Sequence, residues 1–291
     1  MSELADTTAS AKNIAEAIAA LPPLPATAQE ILTCFGDEFI DADKVANVVE
    51  SDPGICAKLL GLANSAYFGL SEPVHNIREA ISRVLGVDTV RSLVLAMAIQ
   101  QSFNTRKCPA FNARRFWMQS LLTAECCKKI VMADELACDA TRDLAYTTGL
   151  CHNLGLMALA HMDSDKTQAV LYAHNESDST DNLGDLFVDK LGTDHRIMTA
   201  ELARFWSLPN PMIAAYEHRA SSATACDERL GLIVVSAATA VGNTEVEDEQ
   251  RVDLRTWAND FGLAPDELQQ MAIFGERQRE KVQSLVGNMS G

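Results

Sequence analysis

Aromatic residues are scarce in this 291-residue chain, at 6% of positions. Its core must therefore be filled by Ala, Leu, Ile, Val and Met, which suits helix packed on helix. Basic residues are also few, 24 against 40 acidic ones, and the formal net charge is −16. A field of that sign repels phosphate backbones and anionic lipid. Nucleic-acid binding would need a local basic patch, and the densest candidate, Arg114-Arg115 with Lys128-Lys129, reads as a solvated helix face. No nucleic-acid partner is expected. No apolar run approaches the roughly 18 residues of a spanning helix, so no membrane partner is expected either. The N-terminal MSELADTTASAKNIAEAIAA carries acids early and lacks a basic stretch followed by an apolar one. It does not read as a secretory leader, and a cytoplasmic location is expected.

Several kinds of chemistry are missing as well. The eight cysteines are Cys34, Cys56, Cys108, Cys126, Cys127, Cys138, Cys151 and Cys226, and no pair has CxxC spacing. Several lie inside apolar helical runs, as Cys56 does in ICAKLL. They read as small, buried, reduced thiols and not as a zinc site. Gly69, Gly86 and Gly155 stand alone, so no glycine-rich phosphate loop is formed. Ser120 follows Gln119 with no base in sequence reach. Cys151 precedes His152, but neighbours on a helix point about 100° apart and cannot pair as nucleophile and base.

What is present is helical periodicity. Residues 1–20 read as a short amphipathic helix or a tail, and LPPLP (21–25) cannot be helical because proline removes donors and biases its predecessor to extended backbone. A helix is expected from Ala26 to about Gly36. The next begins near Asp41 or Asp43 and carries Val45, Val48 and Val49 on one face. Asp52-Pro53 combines an acidic N-cap with proline at the first helical position. Asn76 caps a helix stopped by Gly86. Asp88 opens another, apolar nearly all round and hence buried on most sides. Polar residues from Asn104 to Pro109 mark a lobe boundary. A long helix then runs from Phe111 to about Val131. One from about Thr141 carries Leu144, Thr148, Leu150, Leu154, Met157 and Ala158. Later helices fit 183–191, 194–206, 210–219, 227–241 and 264–286. The reading is an all-α, two-lobed helical bundle: a lobe over 21–105, then a second lobe with a C-terminal extension over 106–291.

Two stretches carry a family resemblance. Residues 21–99, from LPPLPATAQEIL through Asp52-Pro53, LANSAYFG and Leu85-Gly86, resemble the N-terminal part of HDOD domains nearly end to end. FWMQS with LAYTTGLCHNLGLMAL (residues 116–159), GTDH (192–195) and Leu208-Pro209 resemble the core of the HD superfamily of metal phosphohydrolases. The likeness spans about residues 20–220, and the remaining residues match only as generic helices. It implies a helical bacterial regulator with an HD-like second lobe.

The HD pattern implies an early histidine, an adjacent His-Asp pair and a later acidic or histidine ligand. This sequence has Gln119 at the early position, and His152 is followed by Asn153. Amide oxygens are neutral, and one carbonyl cannot replace a bridging carboxylate. The resemblance thus implies a degenerate metal site, with no catalytic residue and no cofactor expected. The alternative is a residual zinc, iron or manganese site on His152, His195 and His218, helped by Asp143 or Asp194, hydrolysing a nucleotide or cyclic dinucleotide. His75, His161 and His174 read as structural or exposed. Asn64, Ser65, Tyr67 and Phe68 of the LANSAYFG turn are candidate partner- or ligand-binding residues; the plainer role is that Asn64 and Ser65 close the preceding helix while Tyr67 and Phe68 pack under the lobe junction. The expected function is non-catalytic signal transduction through a small ligand in the interlobe groove or through signalling proteins in trans, such as a kinase or a diguanylate cyclase. Oligomeric state is left open.

Overall fold

The computed structural model of the chain describes residues 18–19, 21–35, 41–134, 137–176, 183–217, 226–242 and 273–279, with 282, 283, 286 and 289. Among these every regular element is helical, and no strand occurs. The first lobe holds α1 (Ala26–Leu32), α2 (Ala42–Glu50), α3 (Pro53–Ala63), α4 (Ile77–Ala80) with a π-helical turn over Ile81–Leu85, and α5 (Val87–Gln100). The starts follow side-chain chemistry. Asp41 accepts from the Asp43 amide, Asp52 from Gly54 and Ile55, and Asn76 from Glu79. Each satisfies amides that a first helical turn leaves without a partner. Gly86 ends the π turn at φ 77°, a left-handed backbone that favours glycine.

The second lobe holds α6 (Ala113–Ala133), α7 (Asp139–Cys151), α8 (Leu154–Met162), α9 (Ser164–Glu176), α10 (Leu183–Leu191), α11 (His195–Phe205), α12 (Asn210–Glu217) and α13 (Cys226–Gly242). Asn112 caps α6 by accepting from the Arg115 amide. Helix α6 packs on α7 and α13, and α8 packs on α11. No described helix is long and apolar enough to cross a membrane.

Helix α5 joins the lobes. Every residue from Val90 to Ile99 is buried, as its all-round apolar sequence predicts. It meets α1, α2 and α3 in its own lobe and α7 in the other. Arg91 is the polar tie in that seam, only 2% exposed. Its Nη1 donates to the Cys34 carbonyl at 2.6 Å, and its Nη2 donates to Asp88 at 2.6 Å and to Asp143 of α7 at 2.8 Å. The guanidinium also lies 4.8 Å from the centre of the Phe35 ring. One residue on, the hydroxyls of Ser92 and Thr147 meet at 2.6 Å.

Four expectations change. The helix expected from Thr141 through Ala158 is two helices, α7 and α8, broken at His152-Asn153. Helix α5 begins at Val87, so Asp88 lies in the first turn and binds Arg91 instead of capping. Helix α9 replaces a stretch without a predicted element. Cys138 is disulfide-bonded, so reading every cysteine as a reduced thiol fails there, whereas Cys34, Cys56, Cys108, Cys126, Cys127 and Cys151 are not disulfide-bonded. The expected elements over 1–17 and 264–272, and His218, lie outside the described residues.

Candidate functional site

The α7–α8 break places the histidine-bearing motif. Asn153 sits at φ −115° and ψ 18°, outside helical geometry. His152 closes α7, its Nδ1 2.7 Å from the Gly149 carbonyl. No proline marks the break, and the donor is a ring nitrogen, so helical periodicity runs through it unseen. Helix α11 docks against the start of α8 through glycine. A side-chain carbon built on Gly155 would fall 1.9 Å from the His195 carbonyl oxygen and 2.6 Å from the Thr199 nitrogen. Thr199 links the two backbones, accepting from the Gly155 amide at 2.9 Å and donating to the His195 carbonyl at 3.0 Å. This contact brings His195 to His152.

The electrostatics of the cluster favour neutrality. Desolvation pushes the His152 pKa down to about 4 even though the residue keeps partial exposure. The hydrogen bond to Gly149 acts the other way, and the neighbouring His195 lowers it further. His195 packs against the Phe187 ring, 5.7 Å between centres. Its Nδ1 lies 3.0 Å from Asp194 Oδ1, within ion-pair distance but without hydrogen-bond alignment. Asn153 is buried, and its side-chain oxygen has no partner among the described residues.

The carboxylates named from the sequence are committed elsewhere. Asp194 caps α11 by accepting from the Arg196 amide at 2.8 Å, and its other oxygen accepts from Arg196 Nε and Nη2 at 2.8 and 2.6 Å. Burial alone would raise this carboxyl, but contacts with His195 and Arg196 hold it below the usual range. Asp143 belongs to the Arg91 tie. Gln119 lies half-buried on α6. Among the described residues no three His, Cys, Asp or Glu side chains gather as a metal-binding group. The described donors nearest to one are two imidazoles and an amide, without a free carboxylate to balance a divalent charge.

No nucleophile is activated here either. Burial pushes the Cys151 thiol up to about 12, where it stays protonated at neutral pH. The Ser120 hydroxyl is buried without a partner among the described residues. His161 accepts from the Asn104 amide at 3.0 Å and so ties the interlobe connection to α8.

The LANSAYFG turn has a divided role. Asn64 grips the backbone of Val74, donating to its carbonyl and accepting from its amide, each at 2.8 Å. The Ser65 hydroxyl is buried without a partner among the described residues. Tyr67 and Phe68 stack edge to face at 4.7 Å and face a cavity shared with α5, α6 and α7. Glu125, Lys128 and Tyr146 also line it; sequence reasoning passed over Glu125 and Tyr146 and took Lys128 only as part of a solvated helix face. One signal was available: Glu125 lies one turn after Leu121, an acid on an otherwise buried stripe.

The comparisons agree with this architecture. A protein of Treponema pallidum (strain Nichols), described only as uncharacterized, is 27% identical over 216 residues, covering 71% of this chain and 39% of that protein. The chain therefore spans well under half the length of that curated relative. A structure from Marinobacter aquaeolei VT8, provisionally described as a signal transduction protein, has a TM-score of 0.78 at 20% identity, covering 98% of this chain and 67% of that one. A structure from Shewanella amazonensis SB2B, provisionally described as a phosphohydrolase, has a TM-score of 0.71 at 21% identity, covering 95% and 97%. An HDOD domain protein of unknown function from Geobacter sulfurreducens has a TM-score of 0.74 at 20% identity, covering 97% of each chain. At such identities the structures show the fold alone. The family model of the HDOD domain matches residues 21–221, more than half of the chain, and the protein belongs to that family.

Proposed function

We propose that this protein is a non-catalytic cytoplasmic regulator that binds a small ligand or a signalling protein, with any kinase or cyclase output supplied in trans. One observation carries the reading. At the α7–α8 break an uncharged asparagine follows His152, and the two carboxylates named from the sequence are held by arginines, Asp194 beside His195 by Arg196 and Asp143, nine residues before His152, by Arg91. Hydrolysis through bound hydroxide needs at least three good ligands, imidazole or carboxylate, to hold and polarise a cation, and the described residues here offer two imidazoles and an amide. Two lobes joined through one buried seam suit a different task, in which binding at the junction shifts how the halves pack. The competing reading, a metal-dependent phosphohydrolase acting on a nucleotide or cyclic dinucleotide, draws on the closeness of His152 and His195.

Assays with added manganese, iron or zinc on phosphomonoesters, phosphodiesters and cyclic dinucleotides separate the two. The expected result is no turnover above that of His152→Ala. Metal-dependent turnover that His152→Ala abolishes would establish the hydrolase.

A further inference from the structure

A cavity of about 240 Å³ opens where the LANSAYFG turn meets α5, α6 and α7. Leu62, Leu93 and Leu121 give it an apolar wall, and Tyr67, Tyr146, Glu125 and Lys128 bring its polar groups. Glu125 and Lys128 stand three residues apart on α6, a spacing that permits an ion pair. Among the described residues neither side chain makes an ion pair or a hydrogen bond, and the two interact only electrostatically. Burial raises the Glu125 carboxyl, and Lys128 offsets this only in part. Tyr67 and Tyr146 both lie close enough to Glu125 for its charge to raise them further. A partly desolvated acid whose charge Lys128 only partly offsets carries an electrostatic cost that an incoming cation relieves. Lys128, exposed at the rim, offers the opposite charge one turn away.

Size limits the occupant. A cavity of about 150 Å³ holds benzene, and pockets for drug-sized ligands begin near 300 Å³. Nucleotides are too large and too anionic for this acid-bearing site. A plain amine would satisfy Glu125 and be repelled by Lys128. We propose that the cavity binds a small zwitterion of the apolar amino-acid type, its ammonium on Glu125, its carboxylate on Lys128 and its hydrocarbon body against Leu62, Leu93 and Leu121. The inference rests on the reading of the protein as a binder and names the chemistry that it binds.

Calorimetric titration of the full chain tests this with leucine and phenylalanine, with their decarboxylated amines, and with their deaminated acids. At least one amino acid is expected to bind at a single saturable site. Its amine and its acid should each lose about tenfold or more, as expected for charge-assisted contacts. Glu125→Gln should abolish discrimination against the deaminated acid, and Lys128→Met should abolish discrimination against the amine. Lys128 is exposed, so its variant keeps the test open if Glu125→Gln fails to fold. Absence of saturable binding by both amino acids at millimolar concentration overturns the proposal, as do analogues that bind as well as their parents. Phosphoester turnover lost on His152→Ala would defeat the non-catalytic reading whatever the titrations show. Failure of the amino acids in a protein without turnover defeats only this inference.

Discussion

Replacing Arg91 with methionine keeps much of the apolar stem and removes the fork that joins α1, α5 and α7. Three acceptors lose their donor: the Cys34 carbonyl, Asp88 and Asp143. Asp88 is 80% exposed and hydrates again at little cost, whereas Asp143 is 34% exposed and regains only part of its hydration. Breaking a fully buried pair costs about 3–5 kcal/mol. Partial exposure of Asp143 reduces this to about 2 kcal/mol, and the orphaned carbonyl adds about 1 kcal/mol. The expected destabilisation is about 3 kcal/mol, or a fall of roughly 6–10 °C in Tm for a protein of this size. Urea unfolding followed by circular dichroism measures it. Asp88→Asn should cost less than about 0.5 kcal/mol. A double-mutant cycle of Arg91→Met with Asp143→Asn should give a coupling of about 1–2 kcal/mol. A destabilisation of Arg91→Met below about 1 kcal/mol, with an unchanged denaturant slope, would show that the seam does not depend on this tie.

Two further predictions concern the α7–α8 break. The His152 pKa is about 4 in the folded protein against 6.5 ordinarily, so the unfolded chain takes up the proton first on acidification. The resulting stability is complete above about pH 6.5 and falls as pH drops toward about 4, by about 3 kcal/mol in all. His152→Gln should flatten this slope relative to the parent in urea midpoints taken across that window; equal slopes would contradict a desolvated neutral imidazole. Gly155→Ala sets a side-chain carbon against the backbone of α11, where neither partner can rotate away. It should cost about 3 kcal/mol or more and lower Tm accordingly, and a Tm within about 1 °C of the parent would show that the two helices separate freely.

Capping chemistry made most of the fold legible in advance. Asp52-Pro53, Asn76 and Gly86 each announce a boundary through a carboxylate, an amide or a left-handed backbone, and α3, α4 and the π turn begin or end there. The burial of α5 followed from apolar residues on all its faces. The α7–α8 break was hidden because its cap is a histidine ring bonded to a carbonyl in the same turn. Gly155 read as an isolated glycine because its reason is the α11 backbone, distant in sequence. The site was legible only in part. Asn153 beside His152 pointed to a missing carboxylate, but the roles of Asp143 and Asp194 depend on Arg91 and Arg196 and needed coordinates. The cavity residues Glu125 and Tyr146 lie on different helices, and no sequence spacing ties either to Tyr67.

The most direct measurement is metal content, by elemental analysis of the full chain purified without chelator and then offered manganese, iron and zinc. A site of two imidazoles and one neutral amide predicts well under one equivalent retained after gel filtration, with no difference between the parent and His152→Ala. Retention of one or more equivalents, lost in His152→Ala, would contradict the reading of this protein as a non-catalytic member of its family.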